Sequence, residues 1–165
     1  MELVIRNYQT QDLQECRALW RELTEWHREI YRDPTIGGDT PEVKFDEHLA
    51  SVGAEQIWVA VDQSKVIGLV GMILRGAEAE VEPLIVTKSY RDRGVGKRLL
   101  ETVIQNAQRN RVRLLTVKPV ARNIETMKFL HRQGFKNVGF IELFMDLSNR
   151  TWQSGLAIFD CEFNY

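Results

Sequence analysis

Apolar positions along this chain switch repeatedly between a period of two and a period of three to four, and the switches outline its elements. Leu3, Ile5 and Asn7 alternate with Val4 and Arg6, which predicts a short first strand. Thr10 is placed to cap the helix that follows. Within that helix Leu13, Cys16, Leu19, Trp20, Leu23 and His27 recur on one face, and Asp33-Pro34 ends it. The loop "TIGGD" (35–39) leads to Thr40-Pro41, a cap and a first-turn proline that open a second helix. Phe45, Leu49 and Val52 mark its buried face.

Strand-like runs come next. "IWVAV" (57–61) and "VIGLVGMIL" (66–74) flank the turn "DQSK". "AEVEPLIVT" (79–87) follows Arg75-Gly76, and Pro83 interrupts it as proline does at a bulge or an edge. A helix from position 95 buries Val95, Leu99, Leu100, Val103, Ile104 and Ala107. "VRLLTV" (112–117) is a strand, and "ARNIETMKFLHRQGF" (121–135) is a helix closing at Gly134. "VGFIELFMDL" (138–147) is a further strand, and Ala157, Phe159, Cys161, Phe163 and Tyr165 alternate along a last one. No linker or internal repeat breaks the order, so a single domain over residues 1–165 is expected. Early strands join by short turns and later ones cross through helices, an α/β mixture.

A length of 165 residues suits one hydrophobic core. The formal net charge of −1 gives no support to a general nucleic-acid binder. The longest apolar run, 66–74, is too short to cross a bilayer, and "MELVIRNYQ" reads as a strand, not a signal peptide. Neither nucleic acid nor membrane is therefore an expected partner. Cys16 and Cys161 match no metal or redox spacing, which favours a reduced, cytoplasmic setting. His27, His48 and His131 show no metal spacing either, and no metal is expected.

The densest chemistry lies in "SYRDRGVGKRLLETVI" (89–104), where Gly94 and Gly96 open a helix among Arg91, Arg93, Lys97 and Arg98. The first N–H groups of a helix lack internal partners and sit at the positive end of its dipole, so they attract phosphate. Gly94 can take a positive φ, and Gly96 allows a ligand close to the backbone. A Walker loop needs four residues between its glycines and then Lys-Ser/Thr, which the sequence lacks. A dinucleotide fingerprint needs a third glycine, where Leu99 stands. Arg/Gln-x-x-Gly-x-Gly/Ala after an apolar strand is satisfied by "RDRGVG" (91–96). The plain alternative is a charged turn with a glycine kink.

"LIVTKSYRDRGVGKRLL" (84–100) resembles motif A of the GNAT N-acetyltransferase superfamily, which grips the pyrophosphate of acetyl-coenzyme A. "ARNIETMKFLHRQGF" resembles motif B of that superfamily, with Asn123 at its start and Gly134-Phe135 at its end. The resemblance implies an α/β (α+β) fold with a central mixed, mostly antiparallel sheet of six to seven strands and helices on both faces. It implies acetyl transfer from acetyl-coenzyme A to a primary amine, small molecule or peptide, by direct attack in a ternary complex. It places the coenzyme on Ile85, Val86, Arg91, Arg93, Gly94, Val95, Gly96, Lys97 and Asn123. For Asn123 the alternative is a helix N-cap.

Such a transfer needs a neutral amine, a polarised carbonyl and a leaving thiolate. Pro83 has no N–H, so a splayed strand would free the N–H of Ile85 or Val86 for the thioester oxygen. The resemblance puts that contact near Val86. Glu82 beside the break is the first choice of general base, with apolar neighbours in sequence that would strengthen it; Glu80 is its rival. Many relatives carry a motif B tyrosine as general acid, but here that position is Leu130. His131 is the candidate in its place, although a residue near a helix end equally suits a cation facing the dipole. A non-catalytic acyl-coenzyme A sensor is the alternative that the missing tyrosine favours. Trp26, His27 and Tyr31 are candidates for contacting the acceptor, with an ordinary amphipathic helix as the other reading. Phe159, Phe163 and Tyr165 make a large aromatic face, a candidate for homodimerisation through the C-terminal strand.

Overall fold

Two strands with almost no polar positions, β2 (Ile57–Asp62) and β3 (Lys65–Arg75), fix the first part of the structure. Both are buried nearly throughout, so the sheet they belong to must be covered on both faces. The structure is a computed structural model and describes residues 2–148 and 150–165. It forms two units, Met1–Lys118 and Pro119–Tyr165.

In the first unit β1 (Val4–Asn7), β2, β3, β4 (Glu78–Val86) and β5 (Leu114–Val117) form one sheet in the order β1-β2-β3-β4-β5. The first three pairings are antiparallel and β4–β5 is parallel. The β2–β3 connection is the two-residue turn Gln63-Ser64, in which both residues have positive φ, 48° and 68°. This left-handed pair matches the twist of the strands it joins. The parallel pair needs a crossover, which α3 (Val95–Arg109) supplies.

Residues adjacent along a strand face opposite sides. Ile57, Val59, Leu69 and Ile85 share one side with Cys16 and Leu19 of α1 (Leu13–Tyr31) and Phe45 of α2 (Val43–Val52). Phe45 is the hub there, with the Tyr8 ring at 5.8 Å and the Trp20 ring at 6.2 Å. Gly68 lies on the other side, where a Cβ would stand 3.1 Å from the Leu99 side chain of α3. Helices on both faces are thus observed. Burial pushes the Cys16 thiol up to about 12, so it behaves as a small hydrophobe.

The start of α1 differs from expectation. Thr10 does not cap it but begins a 3-10 turn, Thr10–Asp12. The carboxylate of Asp12 accepts from the Gln9 N–H at 2.8 Å and from both terminal nitrogens of Arg6, at 2.7 and 2.8 Å. A longer side chain with two oxygens ties β1 to the helix where a threonine hydroxyl could make only one bond.

The second unit contains α4 (Ile124–Arg132) and a two-stranded hairpin of β6 (Ser154–Ile158) and β7 (Cys161–Asn164). Gly134 has φ 104°, and the Phe135 N–H returns to the Leu130 carbonyl at 3.2 Å, closing the helix as its sequence predicts. Two expectations fail. Residues 138–147 form no strand, and Val138, Phe140, Leu143, Phe144, Met145 and Leu147 are exposed. An apolar run has strand propensity, but propensity without a ladder partner makes no strand. The last strand is instead a hairpin turning at Phe159-Asp160, with Phe159 in the left-handed region at φ 53°. Ala157, Phe159 and Cys161 therefore do not continue one face. The single sheet of six to seven strands is replaced, among the described residues, by a five-stranded mixed sheet and a separate two-stranded one.

Burial opposes the charge on Asp12, but the Arg6 guanidinium and the Gln9 N–H outweigh it and hold its carboxyl below the usual carboxylate range. A depressed carboxyl stabilises the fold above its unfolded value of about 3.9 and loses that contribution as pH falls through the folded one. Asp12→Ala should cost about 1.5–3 kcal/mol in urea unfolding at pH 7, since the Arg6 left behind is half-buried and can be solvated, and the gap from the unaltered protein should shrink at pH 3.

Candidate active site

The site begins with a register break. Val70 pairs with Leu84 and Met72 with Val81, so Glu82 and Pro83 together stand opposite the single residue Gly71. This is a bulge, placed where Pro83 has no N–H for a ladder bond. Gly71 is required by the close approach: a Cβ there would collide with the Glu82 carbonyl oxygen and stand 2.9 Å from His48 Nε2. The Glu82–Pro83 peptide is cis.

Where the bulge begins, β4 parts from β5. Their last paired residues are Val81 and Val117, so 82–86 have no β5 neighbour. The Thr87 N–H donates to Ile67 of β3 at 2.9 Å. Alternation then turns the N–H and C=O of Val86 away from β3, and the Val86 carbonyl indeed accepts from Arg91 Nε at 3.0 Å. Of the two residues considered for the exposed N–H, the geometry favours Val86. Ile85 is buried in the α1–α2 core instead.

The chain next passes through the 3-10 turn Lys88–Tyr90 and reaches α3 with Gly94 as its N-cap. Gly94 has φ 80°, a region that disfavours side chains, and a Cβ there would meet nothing within 4 Å. No side chain caps this helix and no acid lies in its first turn. The N–H groups of Val95, Gly96 and Lys97 precede the first intrahelical bond, which runs from the Arg98 N–H to the Gly94 carbonyl at 3.1 Å. Val95 anchors the turn in the core. The cations divide. Arg93 lies over the Tyr90 ring at 5.3 Å, and Lys97 is exposed with Glu101 at 3.7 Å. Arg98 donates to the Leu3 carbonyl, and Arg91 is tied back to Val86.

The helix α1 fastens this turn. The Glu22 carboxylate accepts from Thr87 Oγ1 at 2.7 Å and from the Lys88 N–H at 2.6 Å, with Arg91 at 3.7 Å. The Arg91 guanidinium also lies 5.7 Å from the Trp26 ring centre. Glu22, Trp26, Glu29, Arg32, Lys88 and Arg91 line a cleft of about 600 Å³. Its charges are of both signs, and Trp26 supplies its aromatic surface.

Other candidates take varied places. Glu82 is exposed, so the apolar surroundings expected from its sequence neighbours are not found. Glu80 is buried and paired with Lys118 Nζ at 2.8 Å. His27 is half-buried, and burial holds its imidazole below the usual range. Tyr31 is half-buried at the end of α1, and neither it nor His27 lines the cleft. In the second unit, Asn123 caps α4 by accepting from the Thr126 N–H at 3.3 Å, and Leu130 is buried. His131 is exposed, its Nε2 3.5 Å from the Lys136 ammonium. The sequence reading missed the clamp made by Glu22 and the meeting of His48, Gly71 and Glu82. A glycine in the middle of an apolar run, Gly71 in "VIGLVGMIL", was the one signal of close approach.

Among the described residues no group of three or more His, Cys, Asp or Glu side chains could hold a metal ion. No described helix is long and apolar enough to cross a membrane.

The bulged strand and its turn lead to a helix N-terminus whose first N–H groups are unpaired, an arrangement that suits an anionic group. Residues 20–135 match the Acetyltransferase (GNAT) family. The chain belongs to that family and is an acyltransferase enzyme. The PaiA N-acetyltransferase from Thermoplasma acidophilum, solved with coenzyme A, is similar in fold. Its TM-score is 0.69 at 19% identity, over 81% of this chain and 89% of that one. A GNAT-family acetyltransferase from Staphylococcus aureus Mu50 gives 0.69 at 19% identity, over 90% and 95%. AAC(6')-Iy, bound to the bisubstrate analogue CoA-S-monomethyl-acetylneamine, gives 0.63 at 16% identity, over 90% and 100%. No curated protein sequence matches the chain significantly.

Proposed function

We propose that the protein moves an acetyl group from acetyl-coenzyme A to a primary amine by direct attack in a ternary complex. The observation that carries this reading is the open, uncapped, acid-free N-terminus of α3, joined by one short turn to the unpaired edge of β4. The coenzyme A bound to the Thermoplasma acidophilum protein and the bisubstrate analogue bound to AAC(6')-Iy support it. Residues 1–165 act as one acyltransferase domain on this reading, since the family match crosses the boundary between the two units. The two free cysteines suit a reducing, cytoplasmic setting.

The N–H groups of Val95, Gly96 and Lys97, with the side chains of Arg93 and Lys97, hold the pyrophosphate. Arg91 acts from behind by fixing the turn to Val86, Glu22 and Trp26. Asn123 contacts the pantetheine arm with the part of its amide that does not cap α4. When bound, the coenzyme supplies an acetyl thioester. The Val86 N–H donates to its carbonyl oxygen and favours the charge that grows there. Glu82, directly or through one water, takes the proton from the incoming amine. Exposure leaves Glu82 open to that water and to exchange with solvent. Trp26 lines the cleft where a small-molecule or peptide amine docks, with His27 and Tyr31 supporting α1 behind it. His131 is the candidate donor to the leaving thiolate. A thiol of ordinary pKa, about 8.5, needs little help to leave.

Leu130 in place of a motif B tyrosine favours a second reading, an acyl-coenzyme A sensor without turnover. Thiol release from acetyl-coenzyme A in the presence of a panel of amines separates the two, because a sensor releases none above background.

A second copy of the chain is the proposed partner. The exposed apolar run 138–147 and the nearly fully exposed Phe159 leave surface that association would cover. Light scattering should give about twice the 19.2 kDa chain mass, and a chain ending at Arg150 should scatter as a monomer or lose stability. A full chain that scatters as a monomer would end this proposal.

Gly96→Val places a branched side chain where the backbone meets the phosphates. Calorimetry should show coenzyme A binding at least about tenfold weaker, as expected from one lost charge-assisted hydrogen bond of about 1.5–3 kcal/mol, with the melting curve unchanged. Glu82→Gln should lower kcat by about 10²–10⁴-fold with little change in coenzyme A affinity. It should also remove the acidic limb of the pH–rate profile, since that limb records protonation of the base. Glu80→Gln is the control and should leave the limb in place.

A further inference from the structure

His48 lies on α2, is only 9% exposed, and belongs to no part of the site described so far. Its Nε2 is fully buried and has no hydrogen-bond partner. A buried ring nitrogen left unpaired is costly, and a native structure that keeps one invites an account of what it serves. This nitrogen stands 2.9 Å from the point a Cβ on Gly71 would occupy, and the Glu82 carbonyl oxygen crowds the same point. The missing side chain of Gly71 thus opens a gap in which α2 meets the bulge of β4 directly. The imidazole is steadied by Trp20 of α1, with ring centres 5.5 Å apart.

We propose that His48 is a positioning residue for acyl transfer: its Nε2–H donates to the Glu82 carbonyl in the working enzyme, and so fixes the bulge that aims the Glu82 carboxylate and the Val86 N–H. The inference rests on the reading of Glu82 as general base. Two residues of β4 oppose one of β3 at this bulge, so the ladder alone does not determine how they are turned. A donor from α2 supplies the missing constraint. A neutral imidazole carries one N–H, and a carbonyl facing Nε2 selects the tautomer with the proton there. Burial holds the imidazole below its usual range, and Glu82 raises it only in part, so His48 is neutral near pH 7. Among the described residues Glu82 is the one charged group acting on it: α1 contributes the Trp20 ring and β3 contributes Gly71. On its own helix, exposed Lys44 and Glu47 pair with each other at 2.8 Å.

The chain has three histidines, so ring-nitrogen NMR with His27→Gln and His131→Gln assigns His48 by elimination. The expected result is an Nε2–H tautomer that titrates below the free-imidazole range, and lower still in Glu82→Gln. An Nδ1–H tautomer would overturn the proposal without reference to activity. In kinetics, His48→Leu should lower kcat about ten- to a hundredfold and leave the acetyl-coenzyme A KM unchanged. His48→Gln, whose amide can donate from nearly the same place, should restore most of that loss. If His48→Leu does not fold, the NMR measurement on the intact chain decides alone. Wild-type kcat in folded His48→Leu overturns the positioning role. Full activity in Glu82→Gln, with the Nε2–H tautomer of His48 retained, overturns the base assignment and leaves the hold of His48 on the bulge standing.

Discussion

One missing ladder bond organises the first unit. Pro83 cannot donate, so β4 takes an extra residue opposite Gly71, and only a residue without a side chain tolerates the carbonyl that swings toward it. Two consequences follow along the chain. Beyond Val81 the strand has β3 on one side and an open edge on the other. The backbone that leaves this edge is then fastened by Arg91 and Glu22 before it enters α3. The outward-facing N–H of Val86 and the open start of α3 are held on one short piece of chain that begins where the β3–β4 ladder is interrupted.

The cations of that piece divide by where their donors go. Arg91 and Arg98 spend their donors on backbone carbonyls, and Glu22 neutralises the turn from the α1 side. Arg93 and Lys97 keep their charge toward solvent. A cluster that looks uniform in sequence therefore contains two cations tied to backbone carbonyls and two exposed ones, Arg93 against the Tyr90 ring and Lys97 beside Glu101.

Much of this was legible in the sequence because it rests on local rules. The faces of α1 and α3, the glycine start of α3, the break at Pro83 and the closure at Gly134 each follow from residues within one or two turns of one another. What stayed hidden depends on contacts between distant segments. Glu22 reaches Thr87 and Lys88 across more than sixty residues, and on a helix wheel it is only one acid of a wet face. His48 looks like a stray polar residue until β3 and β4 are laid beneath α2. Glu82 has apolar neighbours in sequence but points to solvent, because the bulge resets which side of the strand each residue faces. The run at 138–147 and the turn at Phe159-Asp160 fail for the complementary reason: alternation reports what a segment could pair with, and not whether a partner is there.

The order of strands in the five-stranded sheet is also their order along the chain. No strand has to wait for one synthesised after its outer neighbour, and none is inserted between two already paired. The hairpins from β2 to β4 close over turns of a few residues, where the entropy lost in joining the ends is small. Only two joins span a longer stretch: β1 to β2, with α1 and α2 between them, and β4 to β5, with α3 between them. Both lie at the rims of the sheet. The slow, non-local steps of assembly are thereby confined to its edges, while the interrupted strand β4 belongs to the part that can form first.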